Sequence, residues 1–131
     1  MFNVLRNNTI SLTRGNSATI NITMENSSTQ EYITLGDHDK VVLTAKGPSG
    51  EKVIQKTITS DDLVSGADIP MYSCGFEPSD TINLKEGQYR YDVMLLLEDG
   101  QVVTFISANL LIAEAIGLYT DVPLESGGYS G

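Results

Sequence analysis

The segment from Gln88 to Ile106 constrains the fold more than any other part of the chain, because its apolar residues follow a strand pattern around an Asp-Gly pair. Successive side chains of a strand point to opposite faces, so apolar residues at alternate positions share one face, which must lie in a core. An Asp-Gly pair between two strand patterns predicts a tight two-residue hairpin. The apolar residues that alternate in its first half are Tyr89, Tyr91, Val93, Leu95 and Leu97.

A two-residue turn at Asp99 and Gly100 also predicts which residues pair across the hairpin. It places Leu97 opposite Val102, Leu96 opposite Val103, Leu95 opposite Thr104 and Met94 opposite Phe105. The face away from the tyrosines then carries a cluster of apolar side chains. This cluster is too large to be explained as scattered surface residues, so we predict that it is an interface. This predicted interface consists of Met94, Leu96, Val103 and Phe105. The sequence leaves two alternatives for what covers this predicted interface: the C-terminal segment around Leu118, Tyr119 and Leu124, or another subunit.

The two tyrosines of this segment are predicted to support the fold and not to form a binding surface. Gly87 and Tyr89 stand where immunoglobulin-like sandwiches place a tyrosine corner, in which a hydroxyl group bonds to the backbone a few residues upstream. Tyr91 is predicted to fill the core, since a buried tyrosine usually finds a partner for its hydroxyl. Asp99 and Gly100 complete the set of residues to which we assign a structural role.

The rest of the chain also reads as short strands and turns. Thr9 to Glu25 alternates around Arg14-Gly15-Asn16, which indicates two half-buried strands and a turn. The remaining predictions are a hairpin of Lys40–Lys46 with Glu51–Thr59, a loop with one short strand in Ser60–Phe76, a helical turn in Glu77–Leu84, a kink at Ser107–Asn109 and a last strand within Leu110–Glu114.

These elements predict an all-β protein, an immunoglobulin-like antiparallel β-sandwich of seven to eight strands. The sandwich is expected to span residues 1–116. Residues 117–131 carry no periodicity and end in glycines and serines, so they are predicted to be a tail that is flexible or ordered by a partner.

Composition argues against several classes of partner. The formal net charge is −9, with only 8 Lys plus Arg against 17 Asp plus Glu, so there is no basic footprint for nucleic acid or for an anionic membrane. The N-terminus lacks the pattern of a signal peptide, and the longest apolar run is too short to span a bilayer. We therefore expect synthesis in the cytoplasm.

The sequence offers little catalytic or metal-binding chemistry. Asp37-His38-Asp39 combines two carboxylates with the only histidine, but a calcium loop needs more oxygen ligands, and a solvated loop is the favoured interpretation. Cys74, the only cysteine, is more typical of a small packed apolar residue than of a nucleophile. We predict no enzyme activity, no catalytic residue, no metal site and no cofactor.

Four segments taken together resemble the N-terminal domain of the phage baseplate upper protein family, a group of small virion proteins of phages and prophages. Their shared features are a strand ending in Arg-Gly, an alternating strand, and a Leu-x-x-Gly-x-Tyr-x-Tyr-Asp strand before a short hairpin. His38 interrupts the expected Gly-Asp-Lys turn, and Asp61–Phe76 has no counterpart. The segments are ISLTRGNSATINITM (Ile10–Met24), DKVVLTAK (Asp39–Lys46), VIQKTIT (Val53–Thr59) and LKEGQYRYDVMLLLEDGQVVTFI (Leu84–Ile106).

The resemblance implies an immunoglobulin-like structural module of a virion, in a tail, baseplate or capsid appendage. Such a module would act by docking onto other virion proteins and onto copies of itself, and it would be assembled in the bacterial cytoplasm. The alternative from the residues alone is a carbohydrate or cell-surface binding module, which would need exposed aromatic side chains. The chain has no Trp, 6 Tyr and 3 Phe.

Overall fold

The computed structural model describes residues 2–3, 9–26 and 28–114, with the backbone alone for residues 2–3 and 105–107. This part of the chain forms an immunoglobulin-like β-sandwich, and its helical content is one turn of α-helix, α1 (Pro78–Thr81), and one 3-10 turn (Ser60–Asp62). The strands are β1 (Phe2–Asn3), β2 (Ile10–Thr13), β3 (Ala18–Ile22), β4 (Glu25–Asn26), β5 (Glu31–Tyr32), β6 (Lys40–Lys46), β7 (Lys52–Ile58), β8 (Tyr72–Phe76), β9 (Gly87–Leu96) and β10 (Val102–Ala113).

Two sheets of unequal size enclose the core. The larger has five strands in the order β2-β10-β9-β6-β7, and every neighbouring pair is antiparallel except β2 with β10, which is parallel. Facing it are β3 and β8, paired antiparallel, while β1, β4 and β5 form a small third sheet. The predicted strands around Arg14-Gly15-Asn16 are therefore present, but β2 and β3 belong to different sheets.

The core lies between the five-stranded sheet and the sheet of β3 and β8. On β9 it takes Tyr89, Tyr91, Val93 and Leu95, as the alternation predicted, and Leu97 packs against it. The same period of two buries Val41, Leu43 and Ala45 on β6, and the predicted β6–β7 hairpin is confirmed. The core also includes Ile10, Leu12, Ile22, Met24, Leu35, Ile54, Ile58, Tyr72, Cys74, Phe76, Leu110 and Ile112.

The β9–β10 turn is longer than predicted. The Leu97 amide donates to the Gln101 carbonyl at 2.9 Å, and the Gly100 amide donates to the Leu97 carbonyl at 2.9 Å, which leaves three residues in the loop rather than two. Gly100 has a φ of 95°, as the third residue of such loops requires. The added residue places Leu96 opposite Val102 and moves every pairing next to the turn by one position.

A β-bulge between Thr104 and Ile106 then restores the predicted register. From Ile106 onward, each residue of β10 has the partner that the two-residue turn would have given it, beginning with Ile106 opposite Val93. The bulge lies before the kink that we predicted at Ser107–Asn109, and β10 continues through that site to Ala113. The separate last strand within Leu110–Glu114 was therefore a wrong prediction, because the bulge alone absorbs the irregularity.

One charged pair fastens the edge of the large sheet to α1. Lys56 on β7 lies opposite Leu43, which turns it toward the core side at the sheet edge. Its ammonium group lies 2.7 Å from an Asp80 carboxylate oxygen and 5.9 Å from the centre of the Phe76 ring. Burial raises the pKa of Asp80, but Lys56 and the Glu77 amide outweigh it and keep that pKa below its usual value.

The Arg14-Gly15 turn connects three distant parts of the chain. The Gly15 amide, which is buried, donates to the Thr81 hydroxyl oxygen at 2.8 Å. Arg14 donates to the Ile82 carbonyl at 2.7 Å and to one Glu114 carboxylate oxygen at 2.6 and 3.1 Å. The turn between β2 and β3 thus holds α1 and the end of β10 in place.

Candidate docking face

The outward side of the five-stranded sheet is the candidate site, and we call it the outer face. It consists of the side chains of β6, β9 and β10 that alternate with the buried ones. Hydrogen bonding between the strands arranges these side chains in rows across the sheet, since directly paired residues project from the same side of a sheet. Its members are Lys40, Val42, Thr44, Lys46, Gln88, Arg90, Asp92, Met94, Leu96, Val102, Thr104, Asn109 and Leu111.

An apolar patch occupies the half of the outer face next to the β9–β10 turn. Val42 pairs with Met94, and Leu96 pairs with Val102 in the adjacent row. Val102 is 60% exposed, while the other three are partly buried. We refer to Val42, Met94, Leu96 and Val102 as the apolar patch.

The apolar patch differs from the predicted interface at two of four positions. Met94 and Leu96 lie on the outer face as expected. Val103 does not, because the three-residue loop places it opposite Leu95, and it packs against the core. A register slip of one residue moves a side chain to the other face of a strand. The side chain of Phe105 lies outside the described residues, as do Leu118, Tyr119 and Leu124, one of the two proposed covers.

Val42 and Val102 are the members of the apolar patch that sequence reasoning missed. Val42 needed the pairing of β6 with β9, which no local pattern encodes. Val102 could have been found by considering the three-residue hairpin, in which a glycine of positive φ follows a type I turn. Both turns suit an Asp-Gly pair, so the sequence signal does not distinguish them.

The other half of the outer face is polar, and Lys46 and Arg90 make its far end basic. Lys46 pairs with Arg90, and Arg90 pairs in turn with Asn109. The Asn109 side-chain oxygen accepts from the Arg90 guanidinium group and from the Gln88 amide, both at 3.1 Å. These bonds orient the guanidinium group along the face, so this end of the sheet has a defined cationic surface, which we call the basic end.

Acidic residues surround the turn at the opposite end of the outer face. Glu98 and Asp99 lie in the β9–β10 loop, and Asp37 lies in the loop that leads into β6; all three are exposed. Asp39 joins these loops, since one of its carboxylate oxygens accepts from the Gly36 amide at 2.8 Å and the other from the Glu98 amide at 2.9 Å. We call Asp37, Glu98 and Asp99 the acidic end.

The carboxylate of Asp39 should make stability depend on pH. The Gly36 amide and then the Glu98 amide lower the pKa of Asp39 from its usual value. An aspartate in an unfolded chain titrates near pH ~3.9, so the stabilisation is complete above that value and is lost as pH falls through the lower folded pKa. We expect Asp39→Asn to lower the urea midpoint at pH 7, and the difference from wild type to shrink below about pH 4.

Urea titrations from pH 7 to pH 2.5 measure this effect, with Asp37→Asn as the matched control. That change removes the same charge from the same loop, but Asp37 is exposed and the described hydrogen bonds of the loop belong to Asp39. An Asp39→Asn deficit that is as large at pH 3 as at pH 7 would contradict the assignment.

The residues that we assigned to the frame have structural contacts. The Tyr89 hydroxyl donates to the Lys85 carbonyl at 2.8 Å, which is the upstream backbone bond of a tyrosine corner. Tyr91 is buried, and burial raises the pKa of its hydroxyl. Gly87 has a φ of 145°, a value that favours glycine. The Asp99 carboxylate accepts from the Gln101 amide at 2.9 Å and shapes the loop.

The remaining candidates from the sequence are His38 and Cys74. His38 is exposed beside Asp39, whose two oxygens both bind backbone amides. Within the described residues, no group of three His, Cys, Asp or Glu side chains is placed to hold a metal ion. Cys74 is buried, and burial raises the pKa of its thiol to about 11, which keeps the sulfur protonated and a weak nucleophile at neutral pH.

A carbohydrate-binding module would need exposed aromatic side chains. The exposed large apolar side chains of the described residues include one aromatic, Tyr32, which is 42% exposed and lies on β5, away from the outer face. Neither helical turn of the described chain has the length to cross a bilayer.

Comparisons with known proteins give similarity of shape only. No protein-family model matches the chain, and no curated protein matches it. Among solved structures, the Lin-41 filamin domain has a TM-score of 0.49 and 15% identity, covering 85% of this chain and 90% of its own. Murine CRIg has a TM-score of 0.39 and 11% identity, covering 88% and 98%. The resemblance to baseplate upper proteins stays a prediction.

Proposed function

We propose that this protein is a non-enzymatic structural module of a phage or prophage virion, which docks other proteins through the outer face. The observation that carries the docking role is the apolar patch, with Val102 60% exposed next to partly buried Leu96 and Met94. An apolar cluster on a sheet surface costs free energy in water, and a partner protein that covers it recovers that cost.

Rigidity supports the same role. The outer face is built on the three central strands of a five-stranded sheet, and its reverse side is the core. A surface held in this way changes little when a partner binds, so less ordering entropy opposes association. The virion setting is proposed on the resemblance to baseplate upper proteins, and virion is accordingly the proposed localisation.

Incorporation into phage particles tests the proposal. Particles purified after prophage induction from the bacterium that encodes the chain are expected to contain it in fixed stoichiometry to the other tail or capsid proteins, measured by quantitative mass spectrometry. Recovery of the chain in the particle-free fraction alone would contradict the virion assignment.

A charge in the apolar patch tests the docking role separately. Met94→Lys, expressed in place of the wild-type chain, should lower incorporation at least tenfold, because it leaves a charge desolvated in the interface. Leu63→Lys is the matched control, since Leu63 is 48% exposed and lies in the loop before β8. Equal incorporation of the two variants would show that the outer face does not dock.

A further inference from the structure

We propose that the partner of the outer face is a second copy of this chain, bound face to face about a two-fold axis. The axis lies in the interface, at right angles to the strands, and passes through the row that contains Val42 and Met94. This inference rests on the proposed docking role and adds the identity and the orientation of the partner. It is carried by the order of charges along the face.

The two ends of the outer face carry charges of opposite sign, and Asp92 and Lys40 lie between them. From the Met94 row, the basic end with Lys46 and Arg90 lies four residues away along β6 and β9, a distance of about 13 Å. The fourth residue in the other direction is Glu98, which lies just past the end of β9 in the β9–β10 loop, next to Asp99 in the acidic end. The apolar patch lies between the two ends, nearer to the acidic one.

A two-fold axis of the proposed kind brings unlike charges together. It reverses the strand direction and keeps β9 over β9, so Arg90 of one copy lies over Glu98 of the other. In the same way, Lys46 lies over the loop that contains Asp37. Each contact occurs twice, as a closed isologous interface requires.

The inner rows bring one further pair of unlike charges close together. Asp92 of one copy comes over Leu96 of the other, and Leu96 pairs with Lys40 in its own sheet, so the Asp92 carboxylate lies beside a lysine. Met94 meets Met94 on the axis, flanked by Val42 from both copies. The flexible thioether side chain suits such a self-contact, since methionine fills irregular gaps between surfaces.

The alternative face-to-face arrangement places like charges together. A two-fold axis parallel to the strands keeps their direction, so the basic end of one copy would lie against the basic end of the other, and the acidic ends would also meet. Juxtaposed like charges cost enough to reject such a partner orientation. The charge order therefore selects the antiparallel arrangement.

The size of the face sets the expected affinity. Three strands at about 4.8 Å spacing and seven residues at about 3.3 Å give a face of roughly 14 by 23 Å, or about 330 Å² per copy. The total of about 660 Å² is below the usual range of stable interfaces and is typical of weak, transient ones. We expect a weak dimer with a Kd on the order of 100 µM, which would strengthen on a particle through the high local concentration.

Charge reversal and mixing test both the partner and its orientation. Arg90→Glu and Glu98→Arg should each weaken dimerisation at least tenfold, because each converts two attractive contacts to repulsive ones. An equimolar mixture should form mixed dimers about as tightly as wild type, since both contacts are again between unlike charges. Sedimentation velocity from 1 to 300 µM measures all three samples, and circular dichroism checks that each variant is folded.

Met94→Lys provides a second test that does not depend on the charged pairs. It places two ammonium groups against each other on the axis and should leave a monomer at 300 µM, while Leu63→Lys should dimerise like wild type. The inference is overturned by a monomeric wild type at 300 µM, by dimers that Met94→Lys leaves intact, or by mixed variants that associate no better than either alone. A monomeric wild type combined with failed virion incorporation of Met94→Lys would overturn the self-association and keep the docking role.

Discussion

Tyr91→Ala is expected to lower the free energy of unfolding by about 3–5 kcal/mol, the range for removal of a large buried aromatic side chain. Tyr91 is 2% exposed at the centre of the large sheet. Its partners across the two neighbouring strands are Ala45 and Ala108. A tyrosine ring between two alanines fills the space that both leave open, so its removal produces a row of three small residues and a cavity that the rigid strands cannot close.

Urea denaturation followed by circular dichroism measures this loss, and Tyr32→Ala is the matched control. Tyr32 is 42% exposed on a two-residue strand, so the same truncation there should cost less than about 1 kcal/mol. Single domains have a total stability of about 5–15 kcal/mol, so the Tyr91 variant should be marginally folded or unfolded at 37 °C. Equal losses for the two variants would show that Tyr91 does not fill the core in this way.

Thr81→Val is expected to cost about 1–3 kcal/mol, because it leaves a buried donor without an acceptor. Thr81 is 1% exposed, and its hydroxyl oxygen accepts from the buried Gly15 amide at 2.8 Å. Valine has the same shape, so packing is kept while this acceptor is lost. Because the bond joins α1 to the turn between β2 and β3, the variant should also loosen the contact that Arg14 makes with Ile82.

Two related variants distinguish the lost bond from other effects. Thr81→Ser keeps the oxygen and removes one methyl group, so it should cost about 1 kcal/mol. Thr57→Val makes the same change at an exposed position of β7 and should fall within about 0.5 kcal/mol of wild type. Thermal denaturation of the three variants under one condition ranks their stabilities. A Thr81→Val variant as stable as Thr57→Val would contradict the proposed role of the hydroxyl.

The sequence predicted the strand content and the buried side of most strands because those depend on local alternation. The burial of Tyr89, Tyr91, Val93 and Leu95 follows from their spacing alone. The hairpin of β6 with β7 follows from the turn residues Gly47-Pro48-Ser49-Gly50 between two strand patterns. Even the tyrosine corner is local, since Tyr89 bonds to Lys85 only four residues away. Because side chains alternate with a period of two, the apolar side of a half-buried strand is the side that faces the core.

Contacts between distant residues were not predictable from the same patterns. Nothing near Lys56 marks Asp80 as its partner, and nothing near Gly15 marks Thr81. The Asp37-His38-Asp39 sequence resembles a cation loop, whereas both oxygens of Asp39 are used by backbone amides, one of them 59 residues away. Which polar groups meet depends on how the strands are ordered in the sheets, and strand order is a property of the whole chain.

The outer face shows the division between sequence and tertiary structure most directly. Alternation along β9 by itself determined that Met94 and Leu96 point away from the core. Only the folded hairpin decided that Val102, and not Val103, lies beside them. The physical reason is the length of the turn, because a two-residue loop and a three-residue loop both suit an Asp-Gly pair. The two loops differ by one residue in strand register. A shift of one residue changes the face of every β10 side chain between the turn and the bulge.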